Sequence, residues 1–306
     1  MKNKLIILFS ALLTFSSCSD FLNEKPISDL TAESFWQSGT DAEIGVVAIY
    51  SAFAEAMSPG LWDWGELRAD NYIPHDKDAF DQKEMIYNTM SNDNQAAYWT
   101  NLYNVISRAN AAIKYIPDIT MTASTKNNLL AEAHTLRAWA YFYAVRVWGD
   151  VPMYTEPIEE ISQGIYRERT DKNRIFQEII LPDLEKAYYL IDKTATKRTR
   201  VNVATVCVLM MDVYAWLHEY EKVVAVKEEK VDLLSKSRWG LSALEPTTFE
   251  KDWRAMFFDD ETTEIPIEVI FKVAYDELGN GENLSISYFA SSQPRVFLSD
   301  KAKGMY

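Results

Sequence analysis

STKNNLLAEAHTLRAWAYFYAVRVWGDVPM, residues Ser124 to Met153, is the stretch on which the fold turns. Between Asn128 and Trp148 only Glu132, His134, Thr135, Arg137 and Arg146 are strongly polar, while Leu129, Ala133, Leu136, Ala140, Tyr143 and Val147 recur at alternating steps of four and three. That is helical spacing. Trp139, Tyr141, Phe142 and Trp148 lie off the stripe, so the helix is apolar around most of its circumference and is expected to be buried between neighbours on more than one side. Thr122 or Ser124 suits the first-turn cap, Gly149 suits the left-handed residue past the last turn, and Pro152 keeps the helix from resuming.

Outward from this centre the helical period continues. Asp93 to Ile116 carries an apolar face through Tyr98, Leu102, Val105, Ile106, Ala109 and Ile113, and a short polar turn joins it to the central helix as an αα-hairpin. Asn110 on it is read as satisfying a buried backbone group. An earlier helix is predicted from Asp41 to about Met57, and a later one from Asp171 to Ile191, which Pro182 bends or restarts. Asn202 to Leu217 and Tyr220 to Leu234 form a further pair that partly resembles a tetratricopeptide repeat, with Cys207 as a small core residue. The basic run Lys197 to Arg200 reads as a solvated loop at a helix start, and Ile267 to Val273 as a short strand. The fold class is therefore all-α in the main, built of tetratricopeptide-like helix pairs with long irregular loops and a little β.

The 306 residues are 48% hydrophobic and 25% charged, an ordinary globular balance. A formal charge of −14 repels phosphate backbones and argues against nucleic acid as a partner. MKNKLIILFSALLTFSSC at the start has a basic end, an apolar run from Leu5 to Leu13, and small residues before Cys18, the pattern of an export signal. The setting of Cys18 looks like a lipobox, so residues 1–17 are expected to be removed and Cys18 to carry lipid, with 18–30 as a polar tether. Acyl chains would hold the protein on a membrane without spanning it; no other run reads as long and apolar enough to cross.

Between Met57 and Ser91 the helical period fails, and Pro59, Gly60 and Pro74 mark a long irregular excursion. It carries Trp62, Trp64, Arg68, Asp70, Asn71 and Tyr72. Indole faces stack on the CH-rich faces of sugar rings, and arginine, aspartate and amide groups hydrogen-bond hydroxyls, so these six form the candidate ligand-binding set. The same indoles, Trp62 and Trp64, read at least as readily as anchors pinning the loop to the core.

The wording of the central helix resembles that of the SusD/RagB family of nutrient-binding outer-membrane lipoproteins. The resemblance rests on Ala131 to Ala133, Leu136 to Ala138, Tyr141 with Phe142, and Trp148 to Pro152. Supporting matches are Ser17 to Leu22 with Glu24 and Pro26, the 41–53 helix, Glu66 to Asn71, the pattern at Leu102, Tyr103, Ile106, Ala109 and Asn110, and Glu268 to Lys272. Membership implies a lipid-anchored, non-catalytic protein on the extracellular face of the outer membrane that binds oligosaccharide and passes it to a TonB-dependent, SusC-like transporter. Family members are longer, so residues 31–306 are expected to form the amino-terminal SusD-like domain, with the usual carboxy-terminal helix set missing.

An enzymatic reading finds little footing. His75, His134 and His218 share no metal spacing, no nucleophile-elbow, Walker or dinucleotide motif is present, and neither cofactor nor metal is expected. Asp259, Asp260 and Glu261 read as an acidic surface loop. The alternatives are the same architecture binding peptides or another nutrient, a protein-interaction scaffold, and a periplasm-facing lipoprotein.

Overall fold

The computed structural model describes residues 32–74, 80–159, 164–234, 268–273 and 296–298, and the chain divides into two compact units, residues 1–35 and 36–306. Of the first unit, the described part is a single helical turn, α1 (Ala32–Phe35). Cys18, the signal segment, the tether, His75 and Asp259 to Glu261 lie outside the described residues.

In the second unit the helices are α2 (Gly39–Leu61), α3 (Phe80–Tyr87), α4 (Thr100–Tyr115), α5 (Ala123–Trp148), α6 (Lys172–Ile175), α7 (Leu181–Leu190), α8 (Val203–Trp216) and α9 (Tyr220–Val226). Helix α5 is the expected central helix. Thr122 Oγ1 accepts from the Thr125 amide at 3.2 Å, and the Gly149 amide closes the last turn on Val145 O at 3.1 Å. Gly149 has φ 72° and ψ −117°, positive as expected but outside the left-handed helical well. Helices α2, α4 and α7 all pack against α5, and α8 pairs with α9. Tyr141 and Phe142 are completely buried, and Trp139 stacks edge-on against Phe53 of α2 at 4.5 Å between centroids. Such pairs contribute about 0.5–1.5 kcal/mol beyond the area they bury.

Two small antiparallel ladders account for the β structure among the described residues. β1 (Tyr72–Pro74) pairs with β4 (Val296–Leu298), and β2 (Val151–Pro152) pairs with β3 (Arg169–Thr170) in the register Val151 to Thr170.

The structure corrects four sequence expectations. First, α2 runs past Pro59 and Gly60 and continues into a π-helical turn, Trp62–Glu66, closed by the Leu67 amide on Trp62 O at 3.0 Å. The helix with its turn is apolar and long enough to cross a bilayer, contrary to the expectation of no such run, yet Ala42, Val46, Ile49, Ala52, Phe53 and Ala56 along it are core residues. The supposed irregular excursion is thus partly ordered, because Leu67, Met85, Ile86 and Ala96 bury a small second core beneath it. Second, the helix expected from Asp93 starts only at Thr100. Fully buried Asn94 caps a 3₁₀ turn, Gln95–Ala97, by accepting from the Ala96 amide at 2.9 Å, which diverts the backbone from α-helix.

Third, Lys197 to Arg200 is not a solvated run throughout. Arg198 is buried, and Arg200 turns inward to Glu132. Fourth, Glu268–Val273, the described part of the expected strand, joins no ladder. It is docked instead by the Lys272 amide on Arg198 O at 2.9 Å, by Asn202 Nδ2 on Ile270 O at 2.9 Å, and by Phe271, which packs edge-on against Phe53. At Pro182 the helical path is not interrupted: a π-helical turn, Phe176–Ile180, joins α6 to α7 with αR residues at both junctions, and Pro182 sits at the start of α7 just past that turn.

Candidate functional site

A groove of about 430 Å³ lies between α4 and the segment that follows β2. Helix α4 supplies Thr100, Tyr103, Asn104, Ser107 and Asn110, positions three and four apart that necessarily share a helix face. The facing wall is Pro152, Tyr154, Glu156, Ile158, Ile165, Tyr166 and Arg167, with Trp99 at the mouth of the helix. Four aromatic rings, two amides, a serine and one guanidinium therefore converge on one space. Tyr166 is 96% exposed, a ring offered to solvent with nothing to pack on.

The other rings are held in place. Tyr103 donates its hydroxyl to Pro152 O, and Tyr154 donates its own to Ile165 O at 2.6 Å. Tyr103 and Tyr154 meet at 88° with centroids 5.9 Å apart. Burial, reinforced by Tyr141 and Tyr154, raises the Tyr103 phenol far above its usual value, so it remains a neutral donor. Arg167 lies 4.6 Å from the Tyr154 ring, and Arg169 lies 5.2 Å from that of Trp99. Cation–π contacts of this exposure contribute about 0.5–1 kcal/mol each.

Behind the groove wall lies a buried polar relay. Asp183 of α7 receives a forked pair of bonds from Arg137 of α5, Nε at 2.7 Å and Nη2 at 2.8 Å, while His134 Nδ1 lies 2.6 Å from the same carboxylate. Arg137 Nη1 donates to Asn110 Oδ1 at 2.7 Å and reaches Thr155 O at 3.4 Å. Asn110 Nδ2 then donates to Tyr154 O at 3.0 Å and Glu156 O at 3.2 Å, the backbone role expected of it. The Tyr154 amide donates to the Tyr141 hydroxyl at 2.7 Å. Three successive carbonyls of the wall are thereby bonded from the protein interior. Burial pushes the Asp183 carboxyl up, but the bonds from His134 and Arg137 outweigh it and hold the group below its usual range.

The sequence-selected loop has a different geometry. Trp64 is half-buried, donates its indole N–H to Ala96 O at 3.1 Å, and meets Trp148 edge-on at 5.3 Å. Trp148 in turn donates to Ala97 O at 3.2 Å and meets Trp99 edge-on at 6.0 Å. Two indoles thus clamp consecutive carbonyls immediately before the groove's own tryptophan. Trp62 meets Tyr72 edge-on at 6.3 Å. Arg68 is exposed and donates Nε to Asn88 Oδ1 at 2.8 Å, Asp70 is exposed with φ 61°, and Asn71 is half-buried. None of the six lines the groove.

A family model described as starch-binding, associating with outer membrane, and named SusD-like, matches residues 20–214. The SusD-like protein P38 of Formosa agariphila is 31% identical over 290 residues, 92% of this chain and 55% of that protein. The chain belongs to the SusD-like family. A second Formosa agariphila relative, SusD-like protein P2, is 28% identical over 90% of this chain and 53% of its own length; the chain spans about half the length of these curated relatives. A SusD superfamily protein from Bacteroides thetaiotaomicron shares the fold with a TM-score of 0.72 at 18% identity, covering 88% of this chain and 61% of that one. A laminarin binding SusD-like protein does so with a TM-score of 0.60 at 23% identity, covering 67% of this chain and 47% of that one.

In this SusD-like chain the groove residues Trp99, Tyr103, Tyr154, Tyr166 and Arg167 are not ligand candidates on sequence alone: three of the five fall between Met153 and Asp171, where no helical period marks them, and Tyr103 enters only through the family pattern. The signal present there is the density of ring and guanidinium side chains at Tyr154, Tyr166, Arg167 and Arg169. Among the described residues no group of three or more His, Cys, Asp or Glu side chains is arranged to hold a metal ion. Cys207 is a buried free thiol, and burial pushes its pKa up to about 11.

Proposed function

We propose that this chain binds oligosaccharide in the α4 groove and holds it without cleaving it. The observation that carries the reading is the fully exposed Tyr166 ring over a groove of about 430 Å³ in which Tyr103 and Tyr154 are fixed by hydrogen bonds and Trp99 by ring contacts. Fixed rings present a flat apolar face at little entropic cost, and Asn104, Ser107 and Asn110 place donors and acceptors beside them for sugar hydroxyls. The laminarin binding neighbour and the starch-binding description of the family support a glycan over a peptide. In the same proposal Cys18 carries the lipid that anchors the protein to the outer membrane, with its binding face outward. A TonB-dependent, SusC-like transporter receives the ligand. The 62–72 loop adds a second contact surface through Trp62, Arg68, Asp70, Asn71 and Tyr72, while Trp64 braces the strand of chain that presents Trp99.

Calorimetric titration of the purified chain with a glycan panel tests this. Tyr166→Ala, which removes a ring with nothing to support, is expected to weaken binding about tenfold, the size of an exposed hot-spot contact. Trp62→Ala and Trp64→Ala should weaken it less. Unchanged affinity in Tyr166→Ala and Trp99→Ala together would remove the groove from the reading.

A further inference from the structure

The charge arrangement of the groove narrows its ligand. Among the described residues lining it, Arg167 is the one cation and Glu156 the one acid. Arg167 is fixed from one side, with Nη1 donating to Met153 O at 2.9 Å and the guanidinium laid against Tyr154. Its carboxylate contact is loose: Nη2 lies 3.4 Å from Glu156 Oε1, and the Glu156 side chain is 69% exposed. Arg200 with Glu132, Arg174 with Glu178 and Arg137 with Asp183 sit at 2.6 to 2.7 Å, while Arg146, away from the groove, meets Asp212 at 3.4 Å as loosely as Arg167 meets Glu156. Arg169, two residues on and against Trp99, has no carboxylate within ion-pair distance among the described residues; it bonds Asp150 O at 3.1 Å. In a chain with 45 acids and 31 bases, what sets the groove apart is that two guanidiniums without a tight acid partner lie together beside its rings, where an anion could reach them.

Resting on the glycan reading above, we infer that the oligosaccharide taken by the groove bears an anionic substituent, a carboxylate or a sulfate, which seats on Arg167 and displaces Glu156. Two oxygens of a carboxylate or of a sulfate can accept the short forked pair that Glu156, at 3.4 Å, does not. The guanidinium is already oriented by Met153 and Tyr154, so little ordering accompanies the exchange. The neighbouring rings contact the uncharged faces of the sugars on either side. Glu156 competes with the ligand for the same donor, and its removal therefore favours binding. A neutral sugar, which uses Arg167 only through hydroxyls, has no such competitor to displace.

The test is calorimetric titration of the full chain with three probes of equal length: a galacturonic acid oligomer, a sulfated galactan oligomer and a neutral laminarin oligomer. At least one anionic probe is expected to bind about tenfold more tightly than the neutral one, and to lose that advantage as salt is raised. Arg167→Gln should weaken the anionic probe about tenfold and the neutral probe little, while Glu156→Gln, an exposed change that leaves packing alone, should tighten the anionic probe about threefold. Which anionic probe responds tells carboxylate from sulfate. Equal affinity for neutral and anionic probes, or Arg167→Gln and Glu156→Gln shifting the anionic probe in the same direction, overturns the inference. If the neutral probe binds best and Tyr166→Ala weakens it, the anion falls while the glycan groove stands. If none of the three binds, both fall.

Discussion

Two buried carboxylates meet arginines at the central helix, Asp183 from α7 and Glu132 from α5 itself, and they are solved differently. On one side Asp183 is locked by Arg137 and His134 into the relay that ends on the groove wall. On the other, Glu132 of α5 takes a forked pair from Arg200, Nε at 2.6 Å and Nη2 at 3.1 Å, and the Tyr50 hydroxyl at 2.6 Å. Burial raises the Glu132 carboxyl, and the bonds from Arg200 and Tyr50 offset this only in part, whereas for Asp183 the bonds prevail. The difference lies in the partners: the Arg137 side chain is 9% exposed and committed on every edge, while that of Arg200 is 19% exposed and faces the 197–202 loop. One cluster positions a binding surface. The other fastens a loop.

Asp183→Asn is the most damaging way to break this comparison. It strands a buried guanidinium, and a loss of about 3–5 kcal/mol in denaturant unfolding is expected. Ligand affinity should fall with it in any fraction that stays folded, because the 154–156 carbonyls lose their support. Glu132→Gln should be milder, about 1–2 kcal/mol, since Arg200 can turn to solvent and the amide still accepts from Tyr50. Glycan affinity should be unchanged. If the two variants lose equal stability, the contrast between the carboxylates is wrong.

Acid sharpens the comparison with the smallest effect. Asp183, held below its unfolded value of about 3.9, contributes stability that is complete above that pH and disappears as pH falls through its folded value. Glu132, held above about 4.3, binds its proton more readily in the folded state, so its contribution rises as pH falls through its folded value. Each pKa unit corresponds to about 1.4 kcal/mol. Unfolding midpoints followed from pH 7 to 3 should therefore show Glu132→Gln lacking the mild-acid gain, and Asp183→Asn lacking the loss at lower pH.

How far these features were legible in the sequence follows from where each partner lies. Helix α5 was readable from end to end because Thr122, Gly149 and the four-three stripe are local signals, and its motif carried the family. Its polar residues were visible, but Asp183 is 46 positions from Arg137 and Arg200 is 68 from Glu132, and no periodicity links them. Charged residues inside an apolar helix need a buried partner, so Glu132 did point to an inward-turned cation somewhere; the basic run at 197–200 was the place to look. Helix α2 was cut short at Met57 because Pro59 and Gly60 are breakers in isolation, whereas the burial of Ala56 and Leu67 on either side keeps the chain helical. The groove escapes the same signals for a related reason: the helical period of α4 marks its apolar face, and Thr100, Asn104 and Ser107 lie on the other.

The π-helical turn at 176–180 has a geometric consequence for all of this. A π-turn carries one residue more than an α-turn, and each residue of a helix advances it by about 100° around the axis. Excising one residue there would let the helix run straight, and α7 would rotate so that the acid now meeting Arg137 swung toward a different neighbour. That extra residue works as an angular spacer, tuning the phase of one helix so that its charge arrives opposite another's.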